Sequence, residues 1–200
     1  FHAPQGKKGV SVGEFNKLVF ERINEAKKEG RNCDLSGTIF GDINFRQFNK
    51  DNPLPDIDFS DATFSGEADF SGATFSGKAN FFEAEFNGKV DFLLAEFNGK
   101  ANFSYTTFSK DAYFSSATFS GRADFHVVTF IGEALFNNKT FNKDGDFRHI
   151  IIKDKIRFDG VNLLKVSFID ADLRKIDFIN CEWQKNLEEM FYMMKLGSLV

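Results

Sequence analysis

The chain has almost none of the residues that staple, kink or anchor a protein. Cys33 and Cys181 are its only cysteines in 200 residues, too few for a disulfide-built fold, and there are only three prolines. No run reaches the about 18 continuous apolar residues of a membrane span, and no basic-then-apolar segment opens the chain. The expectation is therefore a cytoplasmic location with no membrane contact within this segment. Neither sign of charge dominates: 25 basic against 29 acidic side chains leave a net of −4, without the field of a nucleic-acid binder. The chain opens on Phe1 rather than Met and stops in the apolar run Leu196 to Val200, which fits a piece of a longer product.

Tryptophan occurs once and tyrosine three times, yet phenylalanine occurs 28 times. Such monotony points to a repeat. From Phe59 through Phe64, Phe70, Phe75 and onward to Phe147, the phenylalanine spacing alternates five and six without a slip. Two residues before most of them stands a small or β-branched residue, such as Ala62, Ala68, Ala73, Val90 or Ala101. The six-residue steps commonly carry glycine two after the phenylalanine, at Gly66, Gly77, Gly88, Gly99, Gly121 and Gly132, while Lys110 and Lys143 fill two such slots. A glycine there predicts a corner with positive φ. Beyond Phe147 the centres become Ile152, Phe158, Leu163, Phe168, Leu173, Phe178 and Trp183; upstream, Leu35, Phe40 and Phe45 also step by five.

A period of five suits neither a helix, which would scatter these residues around its axis, nor a plain strand, which would send them to alternate faces. It suits a coil in which each step is one short side, with phenylalanine and the preceding alanine inward and the polar residue between them outward. Runs such as Ala73-Thr74-Phe75-Ser76-Gly77 and Ala171-Asp172-Leu173-Arg174-Lys175 resemble the pentapeptide-repeat family, over residues 33 to 183. The resemblance implies an all-β solenoid, a right-handed quadrilateral β-helix with four steps per coil. Over residues 59 to 158, four alternating steps sum to 22 residues, predicting a slightly rectangular coil that tightens to 20 toward the C-terminus.

The expected organisation is an N-terminal capping helix within 11–32, the β-helix over 33–183, and a C-terminal helix in 184–200. The first helix places Phe15, Leu18, Val19 and Ile23 on one face, with Glu14 near its start, Lys27 and Lys28 near its end, and Gly30 to stop it. Residues 46–56 break the repeat and hold two prolines, predicting a loop extruded from one corner. In the C-terminal segment Leu187, Met190, Phe191 and Met194 recur at helical spacing. They serve either as a cap or as the contact of a homodimer.

Catalytic candidates are absent. His2, His126 and His149 have no companion at metal-ligand spacing, no nucleophile motif occurs, and no cofactor or metal site is expected. Both cysteines fall at the inward small position near opposite ends of the rod, too far apart for a disulfide, and both are expected as buried, inert thiols. Stacking at 22-residue intervals aligns Asp58, Asn80, Asn102, Asp124 and Asp146, then Thr63, Glu85, Thr107 and Thr129, then Thr74, Glu96, Thr118 and Thr140. Lys78, Lys100 and Arg122 run beside the acidic column. Leu93, Tyr113 and Leu135 are expected on one wall as a docking patch, with Phe82, Tyr105 and Val127 near another corner.

These readings point to a non-enzymatic structural or protein-interaction module with an unidentified protein partner. The resemblance adds an alternative, since some pentapeptide-repeat proteins mimic duplex DNA and protect DNA gyrase. Residues 57–183 hold 19 acidic and 14 basic side chains, a net of −5, thin beside the charge of a duplex.

Overall fold

The structure is a computed structural model, and it describes residues 9–138 and 141–182. Trp183, the segment 184–200 with Leu187, Met190, Phe191 and Met194, and also His2 and Thr140, lie outside the described residues.

The chain winds as a parallel four-sided β-solenoid of about 7 turns. Its first wall is built from seven two-residue strands, beginning Cys33–Asp34, Ile57–Asp58 and Ala79–Asn80 and ending Gly145–Asp146 and Val166–Ser167. The second wall runs from Ile39–Phe40 to Ile151–Ile152 in six strands, and the third from Ile43–Asn44 to Ile176–Ile179 in seven. The fourth has three strands, Thr74–Phe75, Glu96–Phe97 and Thr118–Phe119, extended by bridges from Leu54 to Phe75 and from Phe119 to Phe141. Registers such as Ala79↔Ala101 and Phe86↔Phe108 give the 22-residue coil, and Phe158↔Phe178 gives the 20-residue coil near the C-terminus.

Each wall stacks one column of phenylalanine rings. Phe81 lies over Phe103 at 4.8 Å with 2° between the rings, and Phe103 over Phe125 at 4.9 Å. Strands in a sheet stand about 4.8 Å apart, and offset aromatic stacks are favoured at nearly the same centroid distance. The strand ladder and the ring stack therefore share one period. Across the axis the opposed columns of the first and third walls meet edge to face, as Phe81 does Phe92 at 5.8 Å and 82°. The alanine two residues earlier leaves room for this; at Thr106, where threonine adds a hydroxyl and a methyl to that Cβ, the Oγ1 donates to the Phe81 carbonyl at 2.7 Å.

Two kinds of corner alternate. After Phe59, Phe70, Phe81 and each eleventh residue, a tight turn closes with the N–H of the next small residue donating to the phenylalanine carbonyl, as Ala84 does to Phe81 at 3.0 Å. The third residue of this turn is left-handed. Glycine holds it at Gly37, Gly72 and Gly160, but Asp61, Glu83, Leu94, Tyr105, Ser116, Val127, Asn138, His149, Asp170 and Asn180 hold it elsewhere. The residue before the phenylalanine stabilises the turn: Asp58 Oδ1 accepts the Ser60 N–H at 2.9 Å, and Asp69, Asp91, Asn102 and Asp124 do the same in their coils. This explains why the outward slot tends to read Asp or Asn on the first and third walls and Thr or Glu on the other two.

The expectation of positive φ at the six-residue steps is corrected. None of their glycines has positive φ. A Cβ on Gly88 would lie 2.2 Å from the Gly66 carbonyl oxygen, and one on Gly99 2.3 Å from that of Gly77, so these corners need glycine because successive coils nearly touch. A Cβ on Gly132 would lie 2.5 Å from the Lys110 carbonyl carbon, so the coil above Lys110 approaches as closely as elsewhere.

The segment 46–56 is also corrected. Phe48 and Leu54 are fully buried, the Phe48 carbonyl accepts the Thr74 N–H at 2.7 Å, and the Leu54 N–H donates to the Thr74 carbonyl at 2.8 Å. Only residues 49–53 leave the coil, and they do so from the middle of the fourth wall rather than from a corner. Their extra length appears in the first coil's registers, Cys33↔Ile57 and Ile43↔Ala68.

Helix α1 spans Val12–Glu29 and closes the N-terminal end. Ser11 and Glu14 form a reciprocal capping box, and Gly30 ends the helix in the left-handed conformation. Phe15, Val19, Ile23 and Ala26 are buried; Leu18, expected on that face, is 47% exposed, and Phe20 instead packs edge-on against Phe45 and Phe48. Asn16 and Arg22 donate to the carbonyls of Asp42 and Asp34, so the helix also covers the backbone edge of the first coil.

Replacing Phe103 with Ala removes one ring from a fully buried stack and is expected to cost about 3–5 kcal/mol in a denaturant titration. Thr118→Ala on the fourth wall is expected to change stability by less than about 0.5 kcal/mol. A small loss at Phe103 or a large one at Thr118 would reverse this inside–outside assignment.

Candidate interaction surface

Among the described residues, no group of three or more His, Cys, Asp or Glu side chains is placed to hold a metal ion, and no helix is long and apolar enough to cross a membrane. The Cys33 thiol is buried and its pKa is pushed up to about 11, chiefly by burial; Cys181 is half-buried and also shifted upward by burial. Neither is primed as a nucleophile. What the fold offers is its walls and corners.

On the first wall Asp58, Asn80, Asn102, Asp124 and Asp146 form the column read from the sequence. They bond to one another: Asn80 Nδ2 donates to Asp58 Oδ1 and Asn102 Nδ2 to Asn80 Oδ1, both at 2.9 Å. The neighbouring cations close the upper part, with Lys100 at 3.8 Å and Arg122 at 3.7 Å from Asp124, and Arg122 at 3.1 Å and Arg148 at 2.6 Å from Asp146. An open groove of about 380 Å³ follows this wall, lined by Asp56, Asp58, Lys78, Asn80, Lys100 and Asn102. Its charges are already mixed.

The expected patch of Leu93, Tyr113 and Leu135 is not a single column. Tyr113 stacks directly on Leu135 in the third wall, but the residue beneath Tyr113 is Asp91; Leu93 stands past Phe92, on the turn toward the fourth wall. Tyr113 is also engaged within its own chain. Its hydroxyl donates to Asp111 at 3.2 Å, Lys89 Nζ lies 4.4 Å from its ring centroid, and its pKa is raised by burial and by the Asp111 charge.

The corner between the first and second walls is different. Phe82 meets Tyr105 edge-on at 5.6 Å, Tyr105 meets His126 at 5.9 Å, and His126 meets His149 at 5.3 Å, so four rings climb four successive coils. His149 Nδ1 then lies 3.3 Å from Asp170 Oδ2. Sequence spacing separated the two histidines; they come together because one is the second and the other the third residue of stacked turns. Tyr105 is 48% exposed. Tyr105, Val127 and His149 hold the left-handed turn position, at φ 62°, 55° and 56°. A β-branched valine there is an outlier, and such positions cost about 1–3 kcal/mol each. The same corner takes Gly37 and Asp61 lower down, residues that fit it better.

Residues 59–107 and 103–151 each match a family model described as pentapeptide repeats in nine copies. A comparison with curated proteins gave no match.

The Asp146 carboxyl is opposed by two effects. Burial alone would raise its pKa, but hydrogen bonds from Arg148 and the charges of Arg148 and Arg122 hold it below the ordinary carboxylate value. A depressed folded pKa gives stability that is present above the unfolded value of about 3.9 and is lost as pH falls through the folded one. Asp146→Asn is expected to cost about 1–3 kcal/mol at neutral pH. The gap from the parent should narrow below about pH 3, as measured by urea titration at both pH values; a gap independent of pH would contradict the ion-pair account.

Proposed function

The chain is a pentapeptide-repeat protein, and from that premise we propose that it works without chemistry of its own, as a rigid rod that presents one face to another protein. The observation that carries this reading is the ring corner of Phe82, Tyr105, His126 and His149. Exposed aromatic surface is held there, with Tyr105 and His149 at left-handed turn positions that smaller polar residues would occupy at lower cost. A continuous phenylalanine interior supplies the stiffness, because neighbouring coils lock through both ring stacks and parallel strand pairs.

The gyrase-protecting reading stands second. A duplex mimic needs an unbroken anionic face, whereas Lys100, Arg122 and Arg148 sit on the carboxylates of Asp124 and Asp146 along the most regular acidic column. The proposed homodimer through Leu187, Met190, Phe191 and Met194 is compatible with either reading.

A photo-crosslinking side chain placed at Tyr105, at Tyr113 and at Leu94, one at a time, tests the interaction reading in the native host. Adducts with a second polypeptide are expected from the Tyr105 position. No adduct at any of the three would overturn the reading, and protection of gyrase in a supercoiling assay would reverse the order of the two functions.

A further inference from the structure

The geometry points to a cationic partner for the Phe82–Tyr105 corner: an extended, arginine- or lysine-bearing peptide segment that lays its side chains over these rings. The inference rests on the interaction reading and adds the chemistry of what binds.

Three observations carry it. First, carboxylates surround the lower half of the ring ladder. Glu83 stands directly beneath Tyr105 in the column of left-handed turn residues, and Asp61, beneath Glu83, donates its N–H to the Phe82 carbonyl at 2.9 Å. Glu85 projects from the adjoining second wall, paired in register with Thr63 and Thr107. All three are exposed, and the ion pairs among the described residues use none of them. Elsewhere the carboxylates of this face are engaged: Asp124 and Asp146 by Lys100, Arg122 and Arg148, and Asp170 by His149.

Second, aromatic rings beside free carboxylates are the combination that favours a guanidinium or ammonium group, through ring quadrupole and charge together. The protein carries the same pairing in miniature on its third wall, where Lys89 rests over Tyr113 and Tyr113 binds Asp111. At the Tyr105 corner the rings and carboxylates are present and the described residues supply no such cation. Third, Tyr105 and Val127 occupy turn positions that Asn or Gly fills without strain, so their presence is not explained by the turn itself.

The contact surface climbs about 4.8 Å per coil, and same-face side chains of an extended peptide repeat at about 6.6 Å, a difference that the long, flexible stems of arginine and lysine span.

The test uses fluorescein-labelled Arg-Gly octapeptide and a Glu-Gly octapeptide of equal length, titrated into the whole protein and followed by fluorescence anisotropy. The Arg-Gly peptide is expected to bind and the Glu-Gly peptide not. Phe82→Ser with Tyr105→Asn, and separately Glu83→Gln, should weaken binding roughly tenfold and fivefold, while Tyr113→Ser leaves it unchanged. Tyr105→Asn alone should keep or raise the thermal midpoint, which separates a docking role from a structural one; a lowered midpoint would overturn the inference. So would no binding, equal binding by every variant, or preference for the Glu-Gly peptide. Self-association in sedimentation that disappears in the Phe82/Tyr105 double variant would replace the cationic peptide with a second copy. Adducts from the Tyr105 position in the host that excess Arg-Gly peptide does not suppress would leave the interaction reading standing and remove the cationic chemistry alone.

Discussion

The coincidence of two distances governs this molecule. Parallel strands repeat at about 4.8 Å, and offset aromatic rings stack at about the same separation. Phe64, Phe86 and Phe108, for example, follow one another at 4.5 and 5.0 Å while their backbones pair in register. A leucine fills volume but has no flat face to repeat, so the sequence returns to phenylalanine in every coil of the central rod. The alanine two residues earlier, the paired walls and the edge-to-face packing across the axis all depend on that shared period.

The corners inherit a second constraint, because backbones stacked at this spacing meet where the chain bends. One pair of corners solves it with a left-handed turn held by an Asp or Asn side chain, and the other with a glycine whose missing Cβ makes room for the coil below. The Asp or Asn is thus first a turn residue and only then a hydrated wall. This division leaves the outermost turn residues unconstrained by packing. It is there, at Tyr105, Val127 and His149, that the sequence spends stability on exposed surface.

Much of the architecture was legible from spacing alone. The phenylalanine period gave the inward set, the 22-residue coil and the columns of Asp58 to Asp146 and Thr63 to Thr129, because a side chain repeated at one size reports directly on one environment. What spacing could not report was backbone conformation and lateral placement. The role of the glycines changed because close approach and positive φ select the same residue. Phe48 and Leu54 were hidden inside an apparent interruption, since five residues stand between them where other coils have one. Leu93 was assigned to the Tyr113 column although it lies around the corner, and of the four-ring ladder only Phe82 and Tyr105 were placed together, because its members alternate between two adjacent turn positions. A scan for aromatic residues at 21 to 23 positions, rather than strictly at 22, would have found it.

The central claim is that in the middle of the rod, from Phe59 to Phe147, a 22-residue coil is the indivisible unit, fixed by stacked rings. Deleting Ala79 to Lys100 joins Lys78 to Ala101 and keeps every ring and glycine in its column; deleting only Ala79 to Asn98 removes 20 residues and shifts all later rings out of phase. Circular dichroism with thermal melting of the two variants compares them directly. The account predicts a cooperative, β-rich melt for the 22-residue deletion and loss of that transition for the 20-residue deletion, and equal stability of the two would contradict it.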